Sequence, residues 1–207
     1  MTERERMTAE LIYNPWEPEI SADQDVCLER LYDYNATRPM EKEKRAALLR
    51  QMFGRIGEGC YIEPPFHANW GGRNVYMGDY VYANFNLTLV DDGDIIIGNR
   101  VLFGPNVTVA TPNHPILPEL RKKGLQYNKP VCIGNDVWIG AGSVIVPGVT
   151  IGENTVIGAG SVVTRDIPAN VVAYGNPCAV IREIGERDRA FFFKQEPIDW
   201  DEIQKRY

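Results

Sequence analysis

The chain has 207 residues, 44% hydrophobic and 24% charged, which suits one soluble domain with a substantial core and small additions. A net charge of −6 argues against nucleic acid or an anionic membrane as the main partner. No apolar run approaches the roughly 20 residues of a transmembrane helix, and the charged first ten residues lack a signal-peptide core, so the expected compartment is the cytoplasm.

Residues 1–60 carry 21 charged side chains and residues 131–180 only 4, so the two stretches meet different surroundings. The first is expected to form a helical cap, with helices over about residues 23–34 and 40–53. Met40, Leu48, Leu49, Met52 and Phe53 can share an apolar face on the second, and Pro15, Pro18 and Pro39 punctuate the region. A cap of this kind would cover the open backbone groups of whatever β structure follows.

A β pattern takes over near Tyr61. Met77-Gly78 and Ala83-Asn84 open two six-residue units, and Ile97-Gly98, Phe103-Gly104 and Val109 give three more. Met77 and Ile97 lie two residues further apart than three units allow, which puts a slip near residues 91–94. Residues 111–130 carry four prolines, many charges and no such unit, so they are expected to leave the regular structure as a loop. The rhythm then resumes: Ile133, Ile139, Ile145, Ile151, Ile157 and Val163 recur every sixth residue, and glycine follows four of them. A strict period of six suits a chain that turns a corner at each unit, a β-solenoid with triangular coils.

Side chains alternate faces along a strand. If the aliphatic column points inward, Cys132, Trp138, Val144, Thr150, Val156 and Val162 point outward. That row is too apolar to face water, so a homo-oligomer is expected, and a three-sided prism suggests a threefold axis. The C-terminal residues 182–207 are charged but include Phe191, Phe192, Phe193 and Trp200, and are expected to pack as a helix or tail across a coil face. Cys27, Cys60, Cys132 and Cys178 show neither a Cys-x-x-Cys pair nor zinc spacing, and read as free thiols. The Asn86 and Asn106 sequons are expected to be incidental.

Only two histidines are present, His67 and His114. His114 lies at the base of the expected loop, in Thr111-Pro112-Asn113-His114-Pro115, where prolines restrict the backbone. Imidazole is the usual general base near neutral pH. The six-residue units, this Asn-His-Pro loop and Asn-Asp-Val-Trp-Ile-Gly at 135–140 together resemble the hexapeptide-repeat acyltransferases. Tyr-Ala-Asn-Phe-Asn-Leu-Thr at 82–88, the Asp91-Asp92 pair, Pro-Gly-Val-Thr-Ile-Gly at 147–152 and Asn176-Pro177 are similar to one branch, the galactoside and maltose O-acetyltransferases.

The resemblance implies a mainly β fold: a left-handed parallel β-helix over residues 61–181 with loop 111–130, an N-terminal helical cap over 1–60 and a C-terminal extension over 182–207. It implies a homotrimer that binds acetyl-CoA between subunits, holds no metal and acetylates a sugar hydroxyl by direct attack. On the residues that match, His114 is the base and Asn84 donates to the developing oxyanion. Asn14, Asn69, Asn84 and Asp92 bind the acceptor, although Asn14 stands where the branch has aspartate and Asn69 where it has serine. Trp138, Ala141, Ala159, Thr164, Arg165 and Arg182 match coenzyme positions, and Ala179 replaces a further arginine. Trp138 reads equally as an interface anchor, and Asn84 as part of an asparagine ladder at a solenoid corner.

Two other readings fit parts of the pattern: an acetyltransferase for a non-sugar, xenobiotic hydroxyl, and a non-catalytic β-helix scaffold. A β-helical carbonic anhydrase needs three histidines around zinc, and this chain has two in all.

Overall fold

Each six-residue unit forms one strand of two to four residues and one tight corner, and every third strand joins the same sheet. In the computed structural model, which describes residues 1–207, three parallel sheets form the sides of a prism. The first stacks Arg55–Ile56, Val75–Met77, Ile95–Ile97, Val131–Ile133 and Thr150–Ile151. The second stacks Tyr61–Ile62, Tyr82–Ala83, Leu102–Phe103, Trp138–Ile139, Val156–Ile157 and Val171–Gly175. The third stacks Phe66–Ala68, Leu87–Val90, Thr108–Ala110, Val144–Ile145 and Val162–Val163.

Register follows the repeat. Ile133 pairs with Ile151, and Ile145 with Val163, one coil of 18 residues apart. Met77 pairs with Ile97 across 20, so the slip near residues 91–94 is a local widening that leaves the column in phase. Ile97 pairs with Ile133 across 36, so the 20 residues 111–130 contain an 18-residue excess over one coil, thrown out at one corner.

The inward column is Ile62, Ala83, Phe103, Ile139, Ile157 and Ala173 on the second sheet, all essentially without solvent exposure. Together with its counterparts on the other sheets it belongs to one core of 33 buried residues. Ser143, Thr155 and Ser161, each four positions after an inward aliphatic, close corners from inside. Ser143 Oγ donates to the Gly140 carbonyl at 2.8 Å, and Thr155 Oγ1 to the Pro168 carbonyl at 2.9 Å. Glycine after the aliphatic is required by the neighbouring coil: a Cβ on Gly140 would lie 2.5 Å from the amide nitrogen of Ala159. The sequon asparagines Asn86 and Asn106 have positive φ at such corners and bond side chain to side chain at 3.0 Å, a ladder in which Asn84 takes no part.

Three helices precede the prism: α1 (Glu3–Thr8), α2 (Pro18–Asn35) and α3 (Lys42–Met52). The sequence pattern alone does not reveal α1. Helix α2 begins at Pro18, five residues before the expected start, because proline suits a first helical turn whose N–H groups lack partners anyway. Leu49, Met52 and Phe53 enter the core and Leu48 packs against it, but Met40 lies outside α3 and is 88% exposed. Arg45 is buried and donates to Thr37 Oγ1 at 2.8 Å and Tyr61 Oη at 2.7 Å, tying α3 to the first coil.

At the other end, Cys178–Glu183 folds back antiparallel against Val171–Gly175. Helix α5 (Glu186–Ala190), a hairpin of Phe191–Phe193 with Glu196–Pro197, and a terminal helix, Trp200–Arg206, follow. This segment packs on itself rather than across a coil face: Trp200 Nε1 donates to the Arg189 carbonyl, and the three phenylalanines stay exposed. All four cysteines are free, and no helix is long and apolar enough to cross a membrane.

Candidate active site

The 18-residue excess is more ordered than a loop. Pro112–Asn113 and Tyr127–Asn128 form an antiparallel hairpin, with α4 (Pro118–Arg121) at its tip. A single bridge between Tyr13 and Gln126 ties the hairpin to the N-terminal cap. His114 follows the first hairpin strand. Its backbone N–H donates to Asn113 Oδ1 at 2.9 Å, and its ring Nδ1 lies 2.8 Å from the Leu125 carbonyl on the opposite side of the hairpin. A carbonyl only accepts, so Nδ1 carries the hydrogen and the neutral ring keeps its lone pair on Nε2. The ring is exposed, open to a ligand. His67 points outward from the third sheet and makes no side-chain hydrogen bond.

The Asp91-Asp92 pair occupies the widened coil. Asp91 is fully buried and accepts from the N–H groups of Trp70, Gly72 and Asn74, at 2.7, 3.0 and 3.4 Å. Burial pushes its carboxyl up to about 6 despite those donors. Asp92, also buried, accepts from Asn69 Nδ2 at 2.7 Å and from Gln126 Nε2 at 3.0 Å, and burial raises its carboxyl too. Gln126 Nε2 also contacts the Tyr13 hydroxyl, which Asn128 reaches as well. Burial, and then the nearby Asp92, push that phenol up to about 12. Asn69, Trp70, Asp92 and Gln126 line a cleft of about 240 Å3 whose outer wall is Trp16. Asn14 stands beside that wall, its Oδ1 accepting from the Trp16 N–H at 3.1 Å.

The other expected positions fall along two edges of the prism. Asn84, Ala141 and Ala159 follow strands of the second sheet and share one edge. Asn84 Oδ1 accepts from the Phe85 N–H at 2.8 Å, which leaves the Nδ2 hydrogens without a partner in the chain. Thr164 and Arg165 follow a strand of the third sheet and lie at the next edge, where the hairpin that carries His114 also leaves the prism after Thr108–Ala110. Trp138 projects from the second sheet, half exposed. Arg182 is already engaged: Asp188 of α5 accepts both its Nη groups, at 2.6 and 2.7 Å, which holds the Asp188 carboxyl down at about 2.

One chain therefore unites Asn69 and Asp92 directly but leaves Asn84 and His114 on separate edges. Tyr13, Gln126 and Asn128 are site residues that sequence reasoning missed. The only hint was that Gln126 and Asn128 lie in a proline-rich interruption. No group of three His, Cys, Asp or Glu side chains converges to hold a metal ion.

Comparison with known proteins agrees with this architecture. Residues 6–57 match the maltose acetyltransferase hexapeptide capping motif, and residues 133–165 the six-repeat bacterial transferase hexapeptide. The galactoside O-acetyltransferase of Lactococcus lactis subsp. lactis is 52% identical over 96% of both chains. That of Escherichia coli is 52% identical over 82% of this chain and 83% of its own. A galactoside acetyltransferase solved in complex with coenzyme A superposes with a TM-score of 0.93 at 46% identity, covering 96% of this chain and 99% of that one. With the repeat, the cap and near full-length identity in agreement, the chain belongs to the hexapeptide-repeat acetyltransferases, in the branch of the galactoside and maltose O-acetyltransferases.

Proposed function

We propose that this protein transfers the acetyl group of acetyl-CoA to a hydroxyl of a sugar, with His114 as general base. The observation that carries the reading is the Leu125 carbonyl on Nδ1, which leaves Nε2 as the free basic nitrogen of an exposed ring. A sugar hydroxyl is a weak nucleophile, while a thioester is already an activated acyl donor. The protein's tasks are to remove one proton, align two substrates and steady an oxyanion.

In this reading Nε2 takes the hydroxyl proton as the oxygen attacks the thioester carbonyl carbon. The tetrahedral oxyanion accepts from the unpartnered Nδ2 of Asn84. The carbon–sulfur bond then breaks, and the imidazolium returns its proton to the departing thiolate. No acyl-enzyme forms. Ala141 and Ala159 leave room for the pantetheine arm at one edge, Trp138 flanks it, and Thr164, Arg165 and Arg182 meet the nucleotide end. Asp188 must yield Arg182, or share it, when phosphate binds.

Two features support a homotrimer: the apolar outward rows, and the division of Asn84 and His114 between edges, which neighbouring copies would bring together across a crevice. The names of the relatives, galactoside O-acetyltransferases and a coenzyme A complex, support the donor and the acceptor class. A cytoplasmic site of action accords with substrates of this kind.

The test is free-thiol release from acetyl-CoA with a panel of glycosides. His114→Ala should retain the fold and lose about 10²- to 10⁴-fold in kcat, the span that a positioned base contributes. Undiminished turnover in that variant would exclude the base, and no release with any glycoside would exclude the activity.

A further inference from the structure

The carboxylate of Asp92 fixes the orientation of the two side-chain amides beside it. An ionised carboxylate only accepts, so Asn69 and Gln126 must turn their nitrogens toward it, as the 2.7 and 3.0 Å contacts show. Their carbonyl oxygens are thereby left over. Neither Gln126 Oε1 nor Asn69 Oδ1 receives a hydrogen bond within the chain. No buried side-chain oxygen lacks a partner, so Gln126 Oε1 opens onto the cleft that Gln126 lines. The carboxylate itself takes one amide hydrogen on each oxygen, which leaves lone pairs for further donors.

We propose that Gln126 is a further specificity-determining residue: beside Asn69 and Asp92, which the resemblance already matches to the acceptor site, its Oε1 reads a hydroxyl hydrogen of a neutral polyol, on a carbon other than the one acetylated. The proposal rests on the reading of this cleft as the acceptor pocket. The free amide oxygen beside the carboxylate favours hydroxyl donors. Carboxylate or phosphate groups, which bring no hydrogen at neutral pH, are repelled by Asp92. Trp16 and Trp70 supply apolar walls suited to the C–H face of a ring. Gln126 also directly follows Leu125, whose carbonyl holds His114 Nδ1. A ring gripped by Gln126 is thus held by the same arm of the hairpin that orients the base.

The experiment uses the full chain with methyl galactopyranoside and its monodeoxy analogues. The wild type should disfavour at least two of these analogues by about 100-fold or more in kcat/KM, because a site built to bond a hydroxyl is left unpaired without it. Gln126→Met should bring that discrimination within about tenfold for one analogue, raise KM for the parent glycoside and leave KM for acetyl-CoA unchanged. Gln126→Leu provides a second variant if Gln126→Met fails to fold, and Asn69→Ala, on a different element, should relax a different analogue. Equal losses for parent and analogues, or a preference for a uronic acid or sugar phosphate, would overturn the proposal.

Binding of methyl galactopyranoside to folded His114→Ala, with and without Gln126→Met, gives a readout free of chemistry. Affinity should fall about tenfold on adding Gln126→Met, and unchanged affinity would also overturn the assignment. If His114→Ala instead keeps its turnover, the general-base reading fails while this comparison still judges Gln126.

Discussion

Asp91 and Asp92 are adjacent in sequence and alike in chemistry, yet burial gives them different work. Asp91 turns inward onto three backbone N–H groups and holds the turn that carries Trp70, while Asp92 faces the cleft. The folded chain holds the Asp91 proton to about pH 6, against an ordinary value of 3.8. Proton binding at Asp91 therefore favours the folded state fully below about pH 4, and that contribution is lost as pH rises through about 6. Asp91→Asn has no such proton. The unfolding free energy of the wild type relative to this variant should fall by on the order of 3 kcal/mol between pH 4 and 7. Denaturant titrations at stepped pH measure it, and a difference that stays level would contradict the assignment. Residue identities of this kind were partly legible in the sequence. His114 and Asp92 stand in strings that mark them. Gln126 does not, because its role comes from contacts with Asp92 and Tyr13, 34 and 113 residues away.

The corner is the element that the sequence describes best, because each has the same steric demand. Where glycine follows the inward aliphatic, the next coil leaves no space for a methyl group, whereas Gly142 has positive φ but open surroundings. Gly140→Ala should therefore be the more damaging change, costing several kcal/mol through backbone displacement. Gly142→Ala should cost only the roughly 1–2 kcal/mol of a left-handed alanine. Thermal melts of the two variants decide it, and equal losses would argue against coil contact as the reason for glycine. Elements outside the repeat were less legible. Helix α2 extends back to Pro18, a residue that reads equally as a breaker or as a first-turn residue until the chain before it is placed. The hairpin at 112–128 hides in the same way. Its strands have two residues each, too few for any periodicity, and its one bridge to the cap is to Tyr13, 113 residues from Gln126.

For the whole molecule, the inward rows explain the fold and the outward rows point to its assembly. Tyr76 and Ile96 form part of a column on the first sheet, and Tyr82, Leu102 and Trp138 one on the second, all more than a third exposed. The trimer proposed above would cover at least one of these columns. Sedimentation of the wild type should give three times the chain mass, and either Ile96→Lys or Leu102→Lys should dissociate it, since a charge in an apolar interface is left without a partner. A wild-type monomer would remove the crevice and, with it, the shared site. Periodicity revealed which side chains face out, but not which column meets a neighbour, since every side of the prism is built to one pattern.

The excursion at residues 111–130 leaves the spiral after one rung and rejoins it at the next, with Ile97 and Ile133 still paired as though nothing lay between them. The frame beneath carries no record of how long that detour is or what it contains. A lineage could lengthen, shorten or rewrite the detour without disturbing a single ladder contact below it. Chemical novelty and mechanical soundness are thus inherited on separate stretches of the same chain, and selection can alter one while leaving the other at rest.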